Sequence, residues 1–230
     1  MNLQNHYIEK GEGFPMVLLH GNSESNEYFE HQIEYFAKDY RVIALDTRGH
    51  GQTDRGEAPF TLEQFVEDLK RFLDDMELEK VIMLGFSDGG NIALMFALKY
   101  PHYLKSLILN GANLNTAGVK PLIQMLTCIG YGITSVFALI SKGALAKKEM
   151  LRLMTHEPNI NPATLVAITI PVLVIAGNHD LIKRTHTEGI YQALPNAKLV
   201  IIEGDHFIAA KQPKEFNESM EKFLKLSDNM

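Results

Sequence analysis

Gly85-Phe86-Ser87-Asp88-Gly89 is the stretch where residue types and spacing most directly suggest chemistry. It lies between the apolar run Val81 to Leu84 and the apolar helical pattern Asn91 to Leu98. A serine in that place has two readings. It is a helix cap among tightly packed glycines, or a nucleophile on a strand-to-helix turn too sharp for neighbouring side chains. Glycines at both flanks, and again at Gly90, remove those side chains. The bare pentapeptide favours the cap. The strand before it and the helix after it favour the nucleophile. Ser87 would then project from a sheet edge at a helix N-terminus, where the dipole favours developing negative charge.

The elements that must position Ser87 are visible as alternating patterns. Met16 to Leu19, Val42 to Leu45, Val81 to Leu84, Leu104 to Leu109, Val172 to Ile175 and Leu199 to Ile202 read as strands. Most are rich in β-branched residues and lack polar alternation, as in a parallel sheet covered on both faces. Thr61 and Gln64 have the spacing of a capping box ahead of an amphipathic stretch with Phe65, Leu69, Phe72 and Leu73. Phe216, Met220, Phe223 and Leu224 form one stripe on a last helix. Strands alternating with helices predict an α/β fold with a doubly wound, mostly parallel sheet.

Four segments, in order, carry a resemblance to the α/β-hydrolase superfamily over nearly the whole chain. They are His20-Gly21-Asn22 after the first run, Asp46-Thr47-Arg48-Gly49-His50-Gly51 after the second, the turn around Ser87, and a late Asp…His pair. The run GFSDGG resembles the nucleophile elbow of small esterases and lactonases in that superfamily. The resemblance implies that the backbone N–H groups of Asn22 and Asp88 form the oxyanion hole, with incidental side chains. It implies structural roles for His20, His50 and the glycines of the second segment, with Arg48 tying loops together.

The base must be a histidine at a strand end. His20 and His50 belong to the glycine turns. His6, His31, His102 and His186 have surface-like contexts, and His156 lies in an inserted segment. His179 adjoins the candidate acid and is poorly placed to aim at it. His206 remains; it follows the last apolar run and matches the family's catalytic histidine. The family often has glycine before that histidine, and here Asp205 stands there. It is read as a solvated loop residue, although a carboxylate facing the ring would raise its pKa. The acid must follow a strand on the same edge, and Asp180 does. Some family members place it one strand earlier, but Asn110-Gly111-Ala112-Asn113 offers no carboxylate. The order Ser87, Asp180, His206 is that of the fold.

The alternation breaks once. Roughly sixty residues separate Asn110 from Pro171, too long for a loop in a compact domain. They predict a helical cap, residues 113–169, inserted into a core of residues 1–112 and 170–230. Leu122 to Ile140 is uncharged and approaches the roughly 20 residues of a membrane span. It contains Gln124, Thr127, Thr134 and Ser135, and a single span would part Ser87 from His206. The expectation is therefore no membrane span. The segment should arch over Ser87 with its apolar face against the mouth, making a small, dry, mainly apolar pocket.

The 230 residues suit one large domain, and 46% hydrophobic residues can fill its core. A net charge of -6 argues against a nucleic-acid partner. The lone Cys128 forbids an intrachain disulfide, and MNLQNHYIEKGEG shows no signal peptide, so a cytoplasmic protein is expected. There is no H-E-x-x-H, no cysteine pair, no phosphate loop and no dinucleotide fingerprint, so neither metal nor cofactor is expected. The expected function is hydrolysis of a small ester, thioester or lactone, with a neutral and largely apolar substrate. Carbon–carbon bond hydrolysis or perhydrolysis would use the same triad. A small-molecule receptor would keep the triad without turnover. The oligomeric state is not legible in the sequence.

Overall fold

A computed structural model describes residues 3–227, so residues 1–2 and 228–230, the outer limits of the expected core, lie outside the described residues. In chain order the elements are β1 (Tyr7–Lys10), β2 (Phe14–Leu19), α1 (Glu30–Phe36), β3 (Tyr40–Leu45), α2 (Leu62–Asp75), β4 (Val81–Phe86), α3 (Asp88–Lys99) and β5 (Leu104–Asn110). Then follow α4 (Pro121–Phe137), α5 (Lys142–His156), β6 (Val172–Gly177), α6 (Arg184–Ala193), β7 (Ala197–Ile202), α7 (Ile208–Lys211) and α8 (Pro213–Ser227).

All six expected strands form, and they pair side by side in parallel. The sheet order is β1-β3-β2-β4-β5-β6-β7. β1 is the strand that pattern reading passed over. It pairs antiparallel to β3 at the sheet edge, and three of its four residues are exposed. An edge strand with a wet face has no long apolar run to reveal it.

The sheet splits the core into two layers, because side chains alternate along each strand. Val17 and Leu19 join the cluster beneath α2, α3 and α6, while Met16 and Leu18 join the cluster beneath α1, α7 and α8. α2 begins at Thr61, whose side chain accepts from the Gln64 N–H at 3.2 Å. Only half of the expected capping box forms, since the Gln64 side chain turns to Asp68 Oδ1 instead.

The winding direction changes between β2 and β4. The chain runs from β2 out to β3, then returns to place β4 on the other side of β2. Loops leaving these two strands diverge and open a crevice at their carboxyl ends, where open α/β sheets bind ligands. Leu19 is in register with Gly85, so the segment after β2 lies beside the segment after β4.

α4 and α5 fill the interval between β5 and β6, as the length of that interval predicts. Its two ends are rooted: Leu114, Leu153, Ile160, Leu165 and Ile168 are buried in the α2–α3 core layer. α5 is tied down further by Arg55 on Glu149 (2.6 and 3.0 Å) and by Glu157 accepting from the Leu62 N–H at 2.7 Å. α4 is different. It contains no buried residue.

Candidate active site

Ser87 joins β4 to α3 with φ 53° and ψ −119°. A non-glycine residue in that region costs on the order of 1–3 kcal/mol and persists only where its surroundings hold it. Here its N–H donates to Asn110 O at 2.8 Å, and its C=O accepts from the Asn91 N–H at 3.0 Å. The flanking glycines answer to close approach. A Cβ on Gly85 would lie 2.3 Å from Gly89 O, and one on Gly89 would lie 2.1 Å from Leu19 O. β2, β4 and α3 therefore meet closely enough to force the turn. Gly21 brings the neighbouring segment against the serine, since its own Cβ would sit 3.1 Å from Ser87 Cβ.

His20 anchors that neighbouring segment from below. Nδ1 donates to Gly21 O at 2.7 Å and Nε2 accepts from the Thr47 N–H at 3.0 Å. Burial pushes its pKa down to about 4, so the ring is neutral and the tautomer is set by these two bonds. Arg48 holds the second loop through a buried two-pronged pair with Asp68, at 2.7 and 2.8 Å. Both readings agree with the structural roles the family resemblance implies.

Asp180 and His206 come from the loops after β6 and β7. Both are buried, and His206 Nδ1 donates to Asp180 Oδ1 at 2.7 Å. The same oxygen accepts from the Ile182 N–H at 2.8 Å, which fixes the carboxylate. His206 leans on Phe86, the residue before Ser87, with ring centroids 4.8 Å apart. Phe86 in turn stacks on Tyr28 at 4.2 Å and meets Phe207 at 5.7 Å. An aromatic floor thus supports the imidazole beside the turn. Asp205 points away: it accepts from the Phe207 N–H and pairs with Lys211, which holds its carboxyl below the usual range. The reading of Asp205 as a solvated loop residue stands.

Three readings need correction. His6 and His186 are not loose surface residues. His6 Nδ1 bonds Asp46 Oδ2 at 2.8 Å, and His186 Nε2 accepts from the Leu114 N–H at 2.9 Å. The side chains of Asn22 and Asp88 are not incidental. Asn22 Nδ2 donates to Asp88 Oδ2 at 2.9 Å and to Met150 O at 3.0 Å, joining the segment after β2 to both α3 and α5. Asn91 Nδ2 donates to Asp88 Oδ1 at 3.2 Å. Asp88 meets no lysine or arginine among the described residues, and burial raises its pKa.

The third correction concerns the pocket. The cavity over Ser87 holds about 30 Å³ and includes Asn22, Asp88, Asn113, Gln124, Thr127 and Glu157 in its lining. Val119, Met154, Leu181 and Ile182 contribute apolar surface, and more of the lining surface is apolar than polar. The pocket is small and mainly apolar in surface, as expected, but polar side chains line it in greater number than a few anchors. α4 turns Gln124 and Thr127 inward and its large apolar side chains outward. Its composition does not show which face would be covered. Asn91 and Asn113, which bond each other at 3.1 and 2.8 Å, were not singled out in the sequence; an asparagine at each end of a buried link carries no spacing signal.

Comparison with known proteins agrees with this fold. Residues 15–137 match the family model described as the alpha/beta hydrolase fold, and the chain belongs to that family. The human serine hydrolase BPHL is 29% identical over 96% of this chain and 83% of its own length. The (E)-2-((N-methylformamido)methylene)succinate hydrolase of Acinetobacter baylyi is 28% identical, over 95% of this chain and 93% of its own. Among solved structures, a putative non-heme bromoperoxidase, BpoC, of Mycobacterium tuberculosis superposes with a TM-score of 0.85 at 20% identity, covering 99% of this chain and 97% of its own. The enol-lactonase of Burkholderia xenovorans gives 0.82 at 18% identity, covering 97% of each chain. These two structural likenesses speak for the fold. The chain is a hydrolase of this family.

Proposed function

We propose that the protein cleaves a small carboxylic ester, thioester or lactone through an acyl-enzyme, with residues 113–169 acting as the cap. Ser87 is the nucleophile, His206 the general base and Asp180 the group that orients it. The observation that carries this reading is the buried His206–Asp180 bond of 2.7 Å, set on the same aromatic floor as the strained Ser87 turn. His206 Nδ1 is committed to Asp180, which leaves Nε2 free to take the serine proton.

Ser87 Oγ attacks the carbonyl carbon as its proton passes to His206 Nε2. The oxyanion is held by the Asn22 and Asp88 N–H groups, each such donor being worth roughly 3–4 kcal/mol. Collapse expels the alcohol or thiol, which takes the proton from His206. Water then attacks the acyl carbon, gives its proton to the same nitrogen, and releases the acid and free Ser87. A mechanism of this kind needs no cofactor.

The polar side chains set into this mainly apolar lining refine the substrate class. Asp88 lacks a cationic partner, whereas Glu157, the second carboxyl at the same cavity, is paired with Arg152 at 2.9 Å. An acyl group bearing a hydrogen-bond donor, a hydroxyl or an amine, suits the Asp88 carboxyl better than a plain hydrocarbon. The small volume favours short acyl chains. A fluorophosphonate probe tests the nucleophile: it should label the wild type once, at Ser87, and leave Ser87→Ala unlabelled. Ser87→Ala should also lose on the order of 10⁶ in kcat. Labelling that survives in Ser87→Ala refutes the assignment.

A further inference from the structure

α4 is a helix with its polar face inward and its apolar face bare. Leu122, Leu126, Ile129, Ile133, Val136 and Ile140 recur every three or four residues, and each is more than half exposed. Met125, Phe137 and Leu139 widen the stripe, with Leu139 86% exposed. Between residues 121 and 140, the exposed positions are apolar residues, Gly132 and the lone Cys128. No exposed side chain there is hydroxyl, amide or charged. At 17 residues the helix is about 25 Å long. Monomeric soluble proteins rarely bare so continuous an apolar surface without a use for it.

Along the sequence that carries this face, charge has one sign. From Asn113 to Lys148 there is no aspartate or glutamate, while Lys120, Lys142, Lys147 and Lys148 flank the stripe. None of these lysines forms an ion pair with a described residue. The nearest acid in sequence, Glu149, is paired with Arg55. The chain as a whole carries -6, so this is a local reversal.

We infer that the α4 face and its flanking lysines dock on an anionic lipid surface, with the helix lying in the plane of the interface. The structure favours lipid over a second copy for two reasons. A protein interface needs about one hydrogen bond per 100–200 Å², and this face offers no side chain to make them. Two copies meeting on it would also gather like-charged lysines around one apolar seam. Hydrocarbon asks for no hydrogen bonds, and anionic headgroups take up the lysines. No helix among the described residues is long and apolar enough to cross a membrane, so the face lies on the surface. The opposite face of the same helix lines the cavity at Ser87 through Gln124 and Thr127, so docking occurs beside the site.

Binding of the full chain to phosphatidylcholine vesicles, with and without one third phosphatidylglycerol, tests this by co-sedimentation. Anionic vesicles should bind it, and added salt should weaken binding. A nitrobenzoxadiazole label on Cys128 should shift to the blue on binding, because that residue shares the docked face. Leu139→Asp with Ile140→Asp should weaken binding at least about tenfold. Lys142→Glu and Lys147→Glu should each weaken it roughly fivefold. These positions are exposed and lie outside the catalytic groups, so hydrolysis of a soluble ester should not change. Absence of vesicle binding, or binding indifferent to these variants, overturns the inference. So does a concentration-dependent dimer that Ile140→Asp dissolves without any vesicle binding, which would assign the face to a second copy.

Discussion

Gly111 stands directly against His206. It follows β5 with φ +63°, and a Cβ there would lie 2.6 Å from His206 Cε1 and 2.8 Å from Nδ1. The preceding carbonyl, Asn110 O, accepts from the Ser87 N–H. One short segment therefore braces the nucleophile turn with its backbone and leaves room for the imidazole through a missing side chain. Gly111→Ala should push the ring off its position and add left-handed strain of about 1–2 kcal/mol. Displacements of about 1 Å at such groups cost on the order of 100-fold in rate. Steady-state kinetics should show a kcat loss of that order in a folded protein. Gly132→Ala, where an added Cβ meets nothing within 4 Å, is the control and should be silent.

Asp180 and Asp205 are separated by their partners, and the two amide variants should separate likewise. Asp180→Asn keeps the shape but favours the wrong imidazole tautomer, and kcat should fall by roughly 10⁴. Asp205→Asn loses an exposed pair with Lys211 and should change kcat little. Circular dichroism should show both folded. A crippled Asp205→Asn beside an active Asp180→Asn would reverse the assignment of the acid.

His20 gives the fold a defined acid sensitivity. Its pKa is about 4 in the folded protein, because burial disfavours the charged ring, against 6.5 in the unfolded chain. Between those values the unfolded chain takes up a proton that the folded ring refuses. Stability therefore falls as pH is lowered from about 6.5 to 4, and this contribution levels off below that, at a cost on the order of 3 kcal/mol. Urea unfolding at several pH values should show a shallower slope for His20→Gln across that window. An identical slope would mean that the ring is not held neutral.

Asp88 should set preference among short acyl groups. Hydroxy- or amino-substituted esters should be cleaved better than plain esters of equal length. Asp88→Asn should cut that preference roughly 10- to 100-fold, the range for a lost hydrogen bond to a charged acceptor. Turnover of the plain ester should persist, because the backbone N–H at position 88 is retained. Ratios of kcat/KM for matched ester pairs measure this. An unchanged ratio would place the donor-binding group elsewhere.

The elements and the order of the chemistry-bearing residues were legible in the sequence, because both are local. A parallel sheet covered on two faces must be written in unbroken apolar runs, so β2 to β7 could be read one by one. The turn at Ser87 needs glycines at Gly85 and Gly89, and glycine is visible as a letter. Asp180 and His206 follow their strands in the order this fold permits. Tertiary structure decided what depends on which surfaces meet. It turned α4 so that Gln124 and Thr127 face the cavity and the apolar stripe faces outward, although the composition of Leu122 to Ile140 is equally compatible with the reverse. It linked Asn22 to Asp88 and Met150 across 66 and 128 residues of sequence, and made hydrogen-bonded contacts of side chains that looked incidental. It set Gly111 against His206, a contact between two loops that no period or motif records. Patterns of burial are written along the chain; which buried groups touch is settled only when the sheet closes them into one crevice.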